Sequence, residues 1–435
     1  MSLPARTRWA VRSGSLVAST SRRLGRGDGT VVGGRVTLLL DPAALARLGA
    51  GRWIALVSGT NGKTTTTRLL TAALASRGPV ITNPQGSNLP PGLVAGLGGA
   101  PPGAAAALEV DEAWLGQASA ALRPAVLTML NLSRDQLDRV AEIRRLASGW
   151  RATVAASDAQ VVANADDPLV AWAASARDAT RASAGTPGAP AEAGGARSVT
   201  WVGAGQPWHE DATGCPACGG RIRFAEGQNA GWSCDSCSLA RPTPTFWVEG
   251  DELVAPDGRF PLRLSLPGRA NRANAAMAAV TAGLAGVSLE VALDAMAATA
   301  EVDGRYRCAR VGQTEIRLLL AKNPAGWLEV FDMLAPAPAP VVVVINARIA
   351  DGRDPSWLWD VPFERLAGRP VVAAGDRSRD LAVRLGYAGI DHRRLDDPVD
   401  AVASLGAGAG TVDVAANYTA MREFNRRLGD DHGTR

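Results

Sequence analysis

The sequence predicts an α/β protein with two sheet units and a small cysteine-bearing segment inserted into the first. Buried-type strands alternate with helical stretches along the chain, which is typical of a mostly parallel sheet covered by helices. A glycine-rich loop at residues 57–64 stands between a strand and a helix. Two CxxC pairs follow within residues 208–242. These three observations point to a nucleotide-binding unit with a metal-binding insertion.

Length and composition narrow the class of protein. The chain has 435 residues, a length typical of two or three domains. Its hydrophobic residues make up 46% of the sequence, which is enough to form a hydrophobic core in each domain. No apolar run reaches the roughly 18 residues that a membrane span needs. Residues 1–35 carry seven arginines and one acid but no apolar block of a secretory signal, so we expect a cytoplasmic protein. The net charge of +4 is spread along the chain, and we expect no nucleic-acid partner.

The first unit begins with a basic, partly helical lead-in over residues 1–50, predicted to end in a short strand near Arg35–Leu40. The next strands are predicted at Trp53–Val57, Ala106–Val110, Ala125–Leu130 and Gln160–Ala163. Helices are predicted at Thr64–Ser76, Glu112–Leu122 and Gln136–Ala156. Residues 178–197 are rich in Ala, Gly and Pro and predict a flexible loop. Thr245–Leu266 alternates around Asp257-Gly258, which predicts a hairpin, before helices at Asn271–Gly286 and Leu289–Thr299.

A second α/β unit is predicted from Glu301 onward. Its strands are predicted at Ile316–Leu320, Val341–Ile345, Val371–Ala374 and Val412–Ala415. Its helices are predicted at Trp327–Leu334, Arg379–Leu385 and Thr419–Leu428. The predicted domains are therefore 1–50, 51–300 with the cysteine insertion at about 208–242, and 301–435.

The loop at residues 57–64 has the residues and the setting of a phosphate-binding loop. Its backbone N–H groups and the following helix N-terminus suit phosphates, Lys63 suits a γ-phosphate, and the Thr64 hydroxyl suits Mg²⁺. Lys63 and Lys322 are the chain's two lysines among 46 basic residues, and lysine is retained where a compact ammonium is needed. Because Val57 replaces the first glycine of the general pattern, a plain glycine turn is the alternative. The residues predicted to bind ATP here are Gly59, Thr60, Asn61, Gly62, Lys63, Thr64 and Thr65.

The insertion has the cysteine spacing of a zinc ribbon. Cys215 and Cys218 are separated by fifteen residues from Cys234 and Cys237. Two CxxC turns present four thiolates to one tetrahedral Zn²⁺ and leave no open position, so the predicted site is structural. A redox pair or a disulfide framework is the alternative.

Several motifs, in this order and spacing, resemble the Mur ligase family and its folylpolyglutamate synthase relatives. The apolar-x-GTNGKT loop is the first of them, and Glu109 ends a strand where the family has a magnesium-binding acid. Asn131–Arg139 is similar to the family's Asn…Asp-His-Leu-Asp segment. Gly268–Ala276 is similar to a family segment whose asparagine, here Asn271, meets the adenine. Asp303-Gly304-Arg305 is similar to the family's C-terminal Gly-Arg, which implies a nucleotide contact for Arg305.

The resemblance implies a central P-loop domain of the Mur ligase kind, followed by a Rossmann-like C-terminal α/β domain. It also shows departures. Many Mur ligases hold a second magnesium ion with a carbamylated lysine, yet no lysine lies between Lys63 and Lys322. Ala270 replaces the family's histidine before the adenine-side asparagine.

Further segments resemble the MurT subfamily, the ligase subunits of lipid II isoglutaminyl synthase. They are the cysteine insertion, Gly86–Asn88, Leu320–Gly326, Asp351–Asp360 and Asn417–Thr419. Asn346-Ala347-Arg348 departs from the subfamily's Asn-Asp-Asn. The resemblance implies ATP-dependent amidation of the D-glutamate α-carboxylate in the lipid II stem peptide, through an acyl phosphate. Ammonia would come from a GatD-type glutaminase that forms a heterodimer with this chain. Asp354 would orient the catalytic histidine of that glutaminase.

The sequence agrees with a separate glutaminase, because the zinc cysteines leave only Cys308, which has no histidine near it in sequence. Asp351 and Asp354 alternatively cap the turn before Trp357, and the segment Ser356–Trp359 is predicted to offer exposed aromatic side chains. Two alternatives to the amidation function stay open: a ligase of the same fold that adds an amino acid, and a zinc-ribbon module that binds nucleic acid.

Two basic features each allow two interpretations. Lys322 either neutralises a phosphate or a substrate carboxylate, or forms a buried ion pair within the protein. The basic start either lies near anionic lipid at the inner face of the plasma membrane or forms a solvated helix face. It comprises Arg6, Arg8, Arg12, Arg22, Arg23 and Arg26.

Overall fold

The computed structural model describes residues 3–24, 29–83, 87–101, 103–134, 143–177, 198–205, 208–225, 230–299, 305–405 and 410–430. The chain forms two compact units. The first comprises residues 1–132, 142–264 and 270–299, and the second comprises 133–141, 265–269 and 300–435. Several predicted features lie outside the described residues: the loop at 178–197, Gly86, Arg26, Asp135–Arg139 and Asp303-Gly304. Because residues 300–304 are among those outside, the predicted boundary at 300 stays a prediction.

The first unit contains one large sheet, a small two-stranded sheet and the helices that connect their strands. Helices α1 to α8 cover Ala5–Arg23, Thr30–Leu40, Ala44–Gly49, Lys63–Leu74, Pro90–Gly98, Leu115–Leu122, Ile143–Ala156 and Pro168–Ala174. Strands β1 to β6 cover Ile54–Ser58, Val80–Ile81, Ala105–Glu109, Val126–Met129, Gln160–Asn164 and Val199–Gly203. Strands β7 to β11 cover Ile222–Phe224, Trp232–Cys234, Phe246–Glu249, Glu252–Ala255 and Gly258–Pro261, and helices α9 and α10 cover Arg269–Gly283 and Leu289–Ala297.

The sheet of the first unit runs in the order β11-β10-β9-β6-β5-β4-β1-β3-β2. Along this order, every pair of neighbouring strands from β2 across to β9 is parallel. The pairs β9–β10 and β10–β11 are antiparallel. The predicted hairpin around Asp257-Gly258 is therefore confirmed, with Ala255 opposite Gly258. β1 lies between β3 and β4, and all five of its residues are buried. The carboxyl ends of β1, β3 and β4 meet at one edge, where open α/β sheets bind ligands.

The predicted strand near Arg35–Leu40 is wrong, because these residues belong to helix α2. The Val, Thr and Leu composition of this segment favours a strand, but close packing decides otherwise. Thr37 Oγ1 donates to Ala10 O in α1 at 3.3 Å. A Cβ on Gly33 would lie 2.6 Å from Gly14 O, so the two helices approach too closely for larger side chains.

The second unit has a six-stranded sheet of its own. Strands β12 to β17 cover Tyr306–Val311, Thr314–Leu320, Val341–Val344, Val371–Ala374, His392–Arg394 and Val412–Ala416. Helices α11 to α14 cover Pro324–Met333, Ser378–Tyr387, Pro398–Ala403 and Tyr418–Asp430. The order is β12-β13-β17-β14-β15-β16, parallel except for the β12–β13 pair. Trp327 and Phe363 fill the core on one side of this sheet. Within the described residues, no helix is both long and apolar enough to cross a membrane.

Candidate nucleotide site and cysteine cluster

The phosphate loop connects β1 to α4 at the ligand-binding edge of the first sheet. Gly62 adopts a φ of 82°, and a Cβ there would lie 2.4 Å from Asn274 Oδ1. Both the left-handed conformation and the close approach of α9 therefore require glycine. Asn274 Oδ1 also accepts a hydrogen bond from Thr66 Oγ1 at 3.2 Å, which fixes α9 against α4. Asn271 lies one turn earlier on α9 and is 8% exposed.

The loop is also held by the end of β4. Asn131 Nδ2 donates to Asn61 O at 3.1 Å, and Asn61 N donates to Asn131 Oδ1 at 2.9 Å. Thr60 N donates to Asn131 O at 3.0 Å. The next residue, Leu132, donates its N–H to Asp167 Oδ2 at 2.8 Å. Burial raises the pKa of Asp167 to about 6 although three backbone N–H groups lower it.

Lys63 lies inside the loop and makes an ion pair that the sequence analysis missed. Its Nζ is 2.8 Å from Glu112 Oε2, and the two side chains are 7% and 10% exposed. Nζ also donates to Gly59 O and, at 3.3 Å, to Thr60 O. Trp150 Nε1 donates to Glu112 O at 2.9 Å, which anchors the backbone of the acid. The signal in the sequence is an acid three residues after Glu109, just beyond a strand that ends beside the phosphate loop.

A hydroxyl and a carboxylate stand together next to the lysine. Thr64 Oγ1 donates to Glu109 Oε2 at 2.9 Å, and Asn88 Nδ2 donates to Glu109 Oε1 at 3.3 Å. Asn83 fixes the strand end, donating to Glu109 O at 3.0 Å and accepting from Glu109 N at 2.8 Å. Hard oxygen donors of this kind are the ligands that Mg²⁺ prefers. The Thr64–Glu109 pair therefore fits a magnesium ion beside bound phosphates.

The four cysteines of the insertion form one cluster. Their Sγ atoms all lie within 4.8 Å of one another, with Cys215–Cys237 at 3.7 Å and Cys218–Cys234 at 3.5 Å. Zn–S bonds of about 2.3 Å in a tetrahedron require S–S distances of about 3.8 Å, so the cluster fits zinc. Ser236 N donates to Cys234 Sγ at 3.3 Å, and this contact, together with the three neighbouring thiols, lowers the pKa of the Cys234 thiol to about 7.

The cysteine cluster is attached to the sheet of the first unit. Trp232 Nε1 donates to Ala165 O at 3.0 Å, just after β5. Ala171 on α8 packs in the same apolar cluster as Trp232 and Cys215. The insertion therefore has a fixed position beside β5 and α8.

In the second unit, the segment that contains Asp354 is anchored by Asp351. Asp351 is buried and accepts from Thr419 N at 2.8 Å and from Thr419 Oγ1. Asp354 is exposed and accepts from Ser356 N at 2.9 Å, which is the capping contact that the alternative interpretation describes. The two roles are compatible, since an exposed carboxylate retains accepting capacity.

The prediction of exposed aromatic residues at Ser356–Trp359 is wrong for Trp357. Trp357 is 7% exposed and packs on Trp327 with ring centroids 6.4 Å apart. Trp359 is 53% exposed and meets Tyr387 edge to face at 5.3 Å. One side of a helical turn faces the core and the other faces solvent, so only part of this segment is exposed.

Arg305 and Lys322 also belong to the second unit. Burial raises the pKa of Glu329 to about 7, and the guanidinium groups of Arg269 and Arg305 lower it. Lys322 Nζ lies 6.0 Å from the ring centroid of Tyr418. Cys308 is exposed on β12, with its Sγ 3.4 Å from the Tyr306 hydroxyl oxygen.

Comparisons with known proteins agree with this geometry. Residues 57–196 match the family model of the Mur ligase middle domain, and residues 320–421 match that of the MurT ligase C-terminal domain. The chain belongs to the Mur ligase family. This ligase is 29% identical to the MurT subunit of lipid II isoglutaminyl synthase (glutamine-hydrolyzing) from Streptococcus pneumoniae, covering 96% of the chain and 95% of that relative. It is 26% identical to the subunit of the same name from Staphylococcus aureus, over 96% and 97%.

Solved structures confirm the predicted fold class. A pseudomurein peptide ligase type C from Methanothermus fervidus superposes with a TM-score of 0.65 at 17% identity, covering 89% of this ligase and 80% of that chain. MurF from Acinetobacter baumannii gives a TM-score of 0.63 at 17% identity, covering 91% and 80%. The prediction of an ATP-dependent ligase is likewise confirmed by the family.

Proposed function

We propose that this ligase uses ATP to activate the D-glutamate α-carboxylate in the stem peptide of lipid II, and that ammonia then converts it to the amide of D-isoglutamine. The observation that carries the proposal is the arrangement of Lys63, Thr64 and Glu109 at one edge of the first sheet. The choice of lipid II as substrate is supported by the relatives from two organisms, which are subunits of lipid II isoglutaminyl synthases.

The side chains divide the work by their chemistry. The backbone N–H groups of residues 59–65 hold the phosphates, and the Lys63 ammonium neutralises the γ-phosphate as it moves to the carboxylate. Thr64 and Glu109 would hold a magnesium ion, which would supply positive charge near the phosphates. Asn271, on α9 beside the phosphate loop, would contact the adenine of the nucleotide. The resulting acyl phosphate reacts with ammonia, which forms the C–N bond and releases phosphate.

A GatD-type glutaminase supplies the ammonia in this proposal. Asp354 is exposed at a turn that Asp351 holds in place, so its carboxylate is accessible to a partner. It orients the catalytic histidine of the glutaminase. The exposed pair of Trp359 and Tyr387 adds aromatic surface of the kind enriched at interfaces. The four cysteines hold a structural zinc ion.

The test is an amidation assay on lipid II with the co-purified glutaminase. Asp354→Asn should lower glutamine-driven turnover by tenfold or more and leave ammonia-driven turnover unchanged. Asp360→Asn is the matched control, because it is exposed in the same segment and pairs only weakly with Arg134 at 3.6 Å. Equal losses from both nitrogen donors would remove Asp354 from the partner's site. Lys63→Ala should abolish magnesium–ATP binding, and unchanged binding would refute the nucleotide site.

One relative favours a second candidate, a ligase that adds an amino acid. A UDP-N-acetylmuramate–L-alanine ligase from Nocardioides is 36% identical over 186 residues, covering 42% of this chain and 40% of that relative. Release of ADP that depends on an amino acid and ignores ammonia would establish this candidate and exclude the amidation.

A further inference from the structure

The outer face of α1 carries large apolar side chains in solvent. Trp9 is 69% exposed and Leu16 is 71% exposed. Seven residues are nearly two helical turns, so both side chains point the same way. The opposite face of the helix is buried through small residues, among them Ala10 and Gly14, against α2. The stripe with Trp9 and Leu16 is therefore turned away from the packing partner that fixes the helix.

The same helix is strongly basic. It has no acidic residue, and its arginines are all exposed: Arg6, Arg8, Arg12, Arg22 and Arg23. By helical spacing, Arg12 and Arg23 lie on the stripe of Trp9 and Leu16. Since the whole chain carries 42 acids against 46 bases, a helix with five arginines and no acid is a local concentration of positive charge.

We propose that α1 lies flat on the surface of an anionic phospholipid bilayer, with Trp9 and Leu16 entering the headgroup region and the arginines binding lipid phosphates. A helix that combines exposed Trp and Leu with arginine and lacks acids matches an interfacial helix. Tryptophan prefers this depth because its ring is apolar and its N–H is polar. From the proposed function the inference takes only the lipid-linked substrate, which such binding would keep within reach.

The experiment is co-sedimentation of the full chain with vesicles. Vesicles of phosphatidylcholine with about one-third phosphatidylglycerol should bind the protein, and pure phosphatidylcholine vesicles should bind it weakly. Binding should fall as salt rises past the physiological range. Replacing Trp9 and Leu16 with alanine should weaken binding by at least about tenfold. Arg12→Gln with Arg23→Gln should weaken it about 25-fold, at roughly fivefold for each arginine.

The matched control removes two exposed arginines from other helices. Arg145→Gln with Arg379→Gln makes the same change in net charge on α7 and α12, and should leave vesicle binding within about twofold. Equal losses in both arginine variants would show a non-specific charge effect and overturn the proposal. So would binding that the alanine variant retains in full, or selective binding to RNA over vesicles.

The outcome is separable from that of the proposed function. Amidation of detergent-solubilised lipid II should be unchanged in the α1 variants, because none of these residues lies in the phosphate loop. A protein that binds anionic vesicles but amidates nothing would refute the ligase proposal alone. One that amidates but ignores vesicles would refute the membrane proposal alone.

Discussion

Glu112→Gln tests whether Lys63 exchanges one anionic partner for another. In the structure the ammonium has a carboxylate 2.8 Å away, and both side chains are at most 10% exposed. A γ-phosphate needs the same ammonium, so ATP and Glu112 compete for it. The substitution keeps the shape of the side chain and removes its charge, while the Trp150 contact to the backbone of residue 112 is retained.

The magnitude follows from burial. Removing one partner of a buried ion pair costs about 3–5 kcal/mol, because the remaining charge is left without its counter-charge. Glutamine still accepts a hydrogen bond, so we expect the lower end, about 3 kcal/mol. In a unit of this size, that lowers the melting temperature by about 5 °C. Nucleotide then supplies the missing negative charge, and we expect its affinity to rise about tenfold.

The assay is a thermal-melt series with and without a magnesium complex of a non-hydrolysable ATP analogue. Glu112→Gln should melt earlier than the wild type alone, and the analogue should raise its melting temperature by more than it raises that of the wild type. Glu315→Gln is the control, because its pair with Arg310 at 2.9 Å has side chains 61% and 67% exposed. Such a surface pair is worth less than about 1 kcal/mol.

A smaller analogue-induced shift in Glu112→Gln than in the wild type would refute the reasoning. It would mean that Glu112 assists nucleotide binding, for example through the magnesium ion, and does not compete with it. A Glu112→Gln protein as stable as the wild type would show that the ion pair has no net energetic role.

Three further predictions concern other parts of the protein. Cys234→Ser should remove the zinc measured by elemental analysis, whereas Cys308→Ser should retain it, and equal zinc in both variants would contradict the four-thiolate site. The raised pKa of Glu329, about 7, means that its ionisation opposes folding, so unfolding of the second unit should become easier as pH rises from about 4.5 to 7. Glu329→Gln should remove this pH dependence and raise the free energy of unfolding by at most about 3 kcal/mol at pH 8, measured in a denaturation series. A pH dependence that persists in this variant would show that another group causes it. Gly34→Ala should lower the melting temperature because its Cβ would lie 1.9 Å from Pro91 O. Gly99→Ala is the control, because no atom lies within 4 Å of the added Cβ. Equal stability of the two variants would show that α2 and α5 adjust freely to the added methyl group.

The sequence predicted the central strands of both sheets because buried parallel strands have a distinct composition, whereas the strands β2, β6, β12 and β16 were not predicted. Val371–Ala374 was predicted to the residue, and the strand that ends at Glu109 was placed within one residue. The lead-in was mispredicted because residues 35–40 have β-type side chains and become helical through contacts with α1 and α5. The composition of a short segment carries no information about contacts with helices that are distant in the sequence.

The candidate site was predictable where chemistry depends on spacing along the chain. The four cysteines and Thr64 with Glu109 come together as the motifs suggest. Glu112 was missed because its role depends on the distance between the ends of two strands. Trp357 was misassigned because the direction of a side chain within a single helical turn depends on the core beneath it, here Trp327.

The scarcity of ammonium side chains offers a practical reporter. An amine-directed acylating reagent meets only two lysines and the N-terminal amine in this chain, and Lys63 is 6% exposed inside its loop. Mass spectrometry of a labelled digest can therefore follow Lys63 with Lys322 as an internal standard, without a background of other modified lysines from the same chain. Nucleotide occupancy of the phosphate loop then becomes measurable in a cell extract, without purified components or radioactive nucleotide.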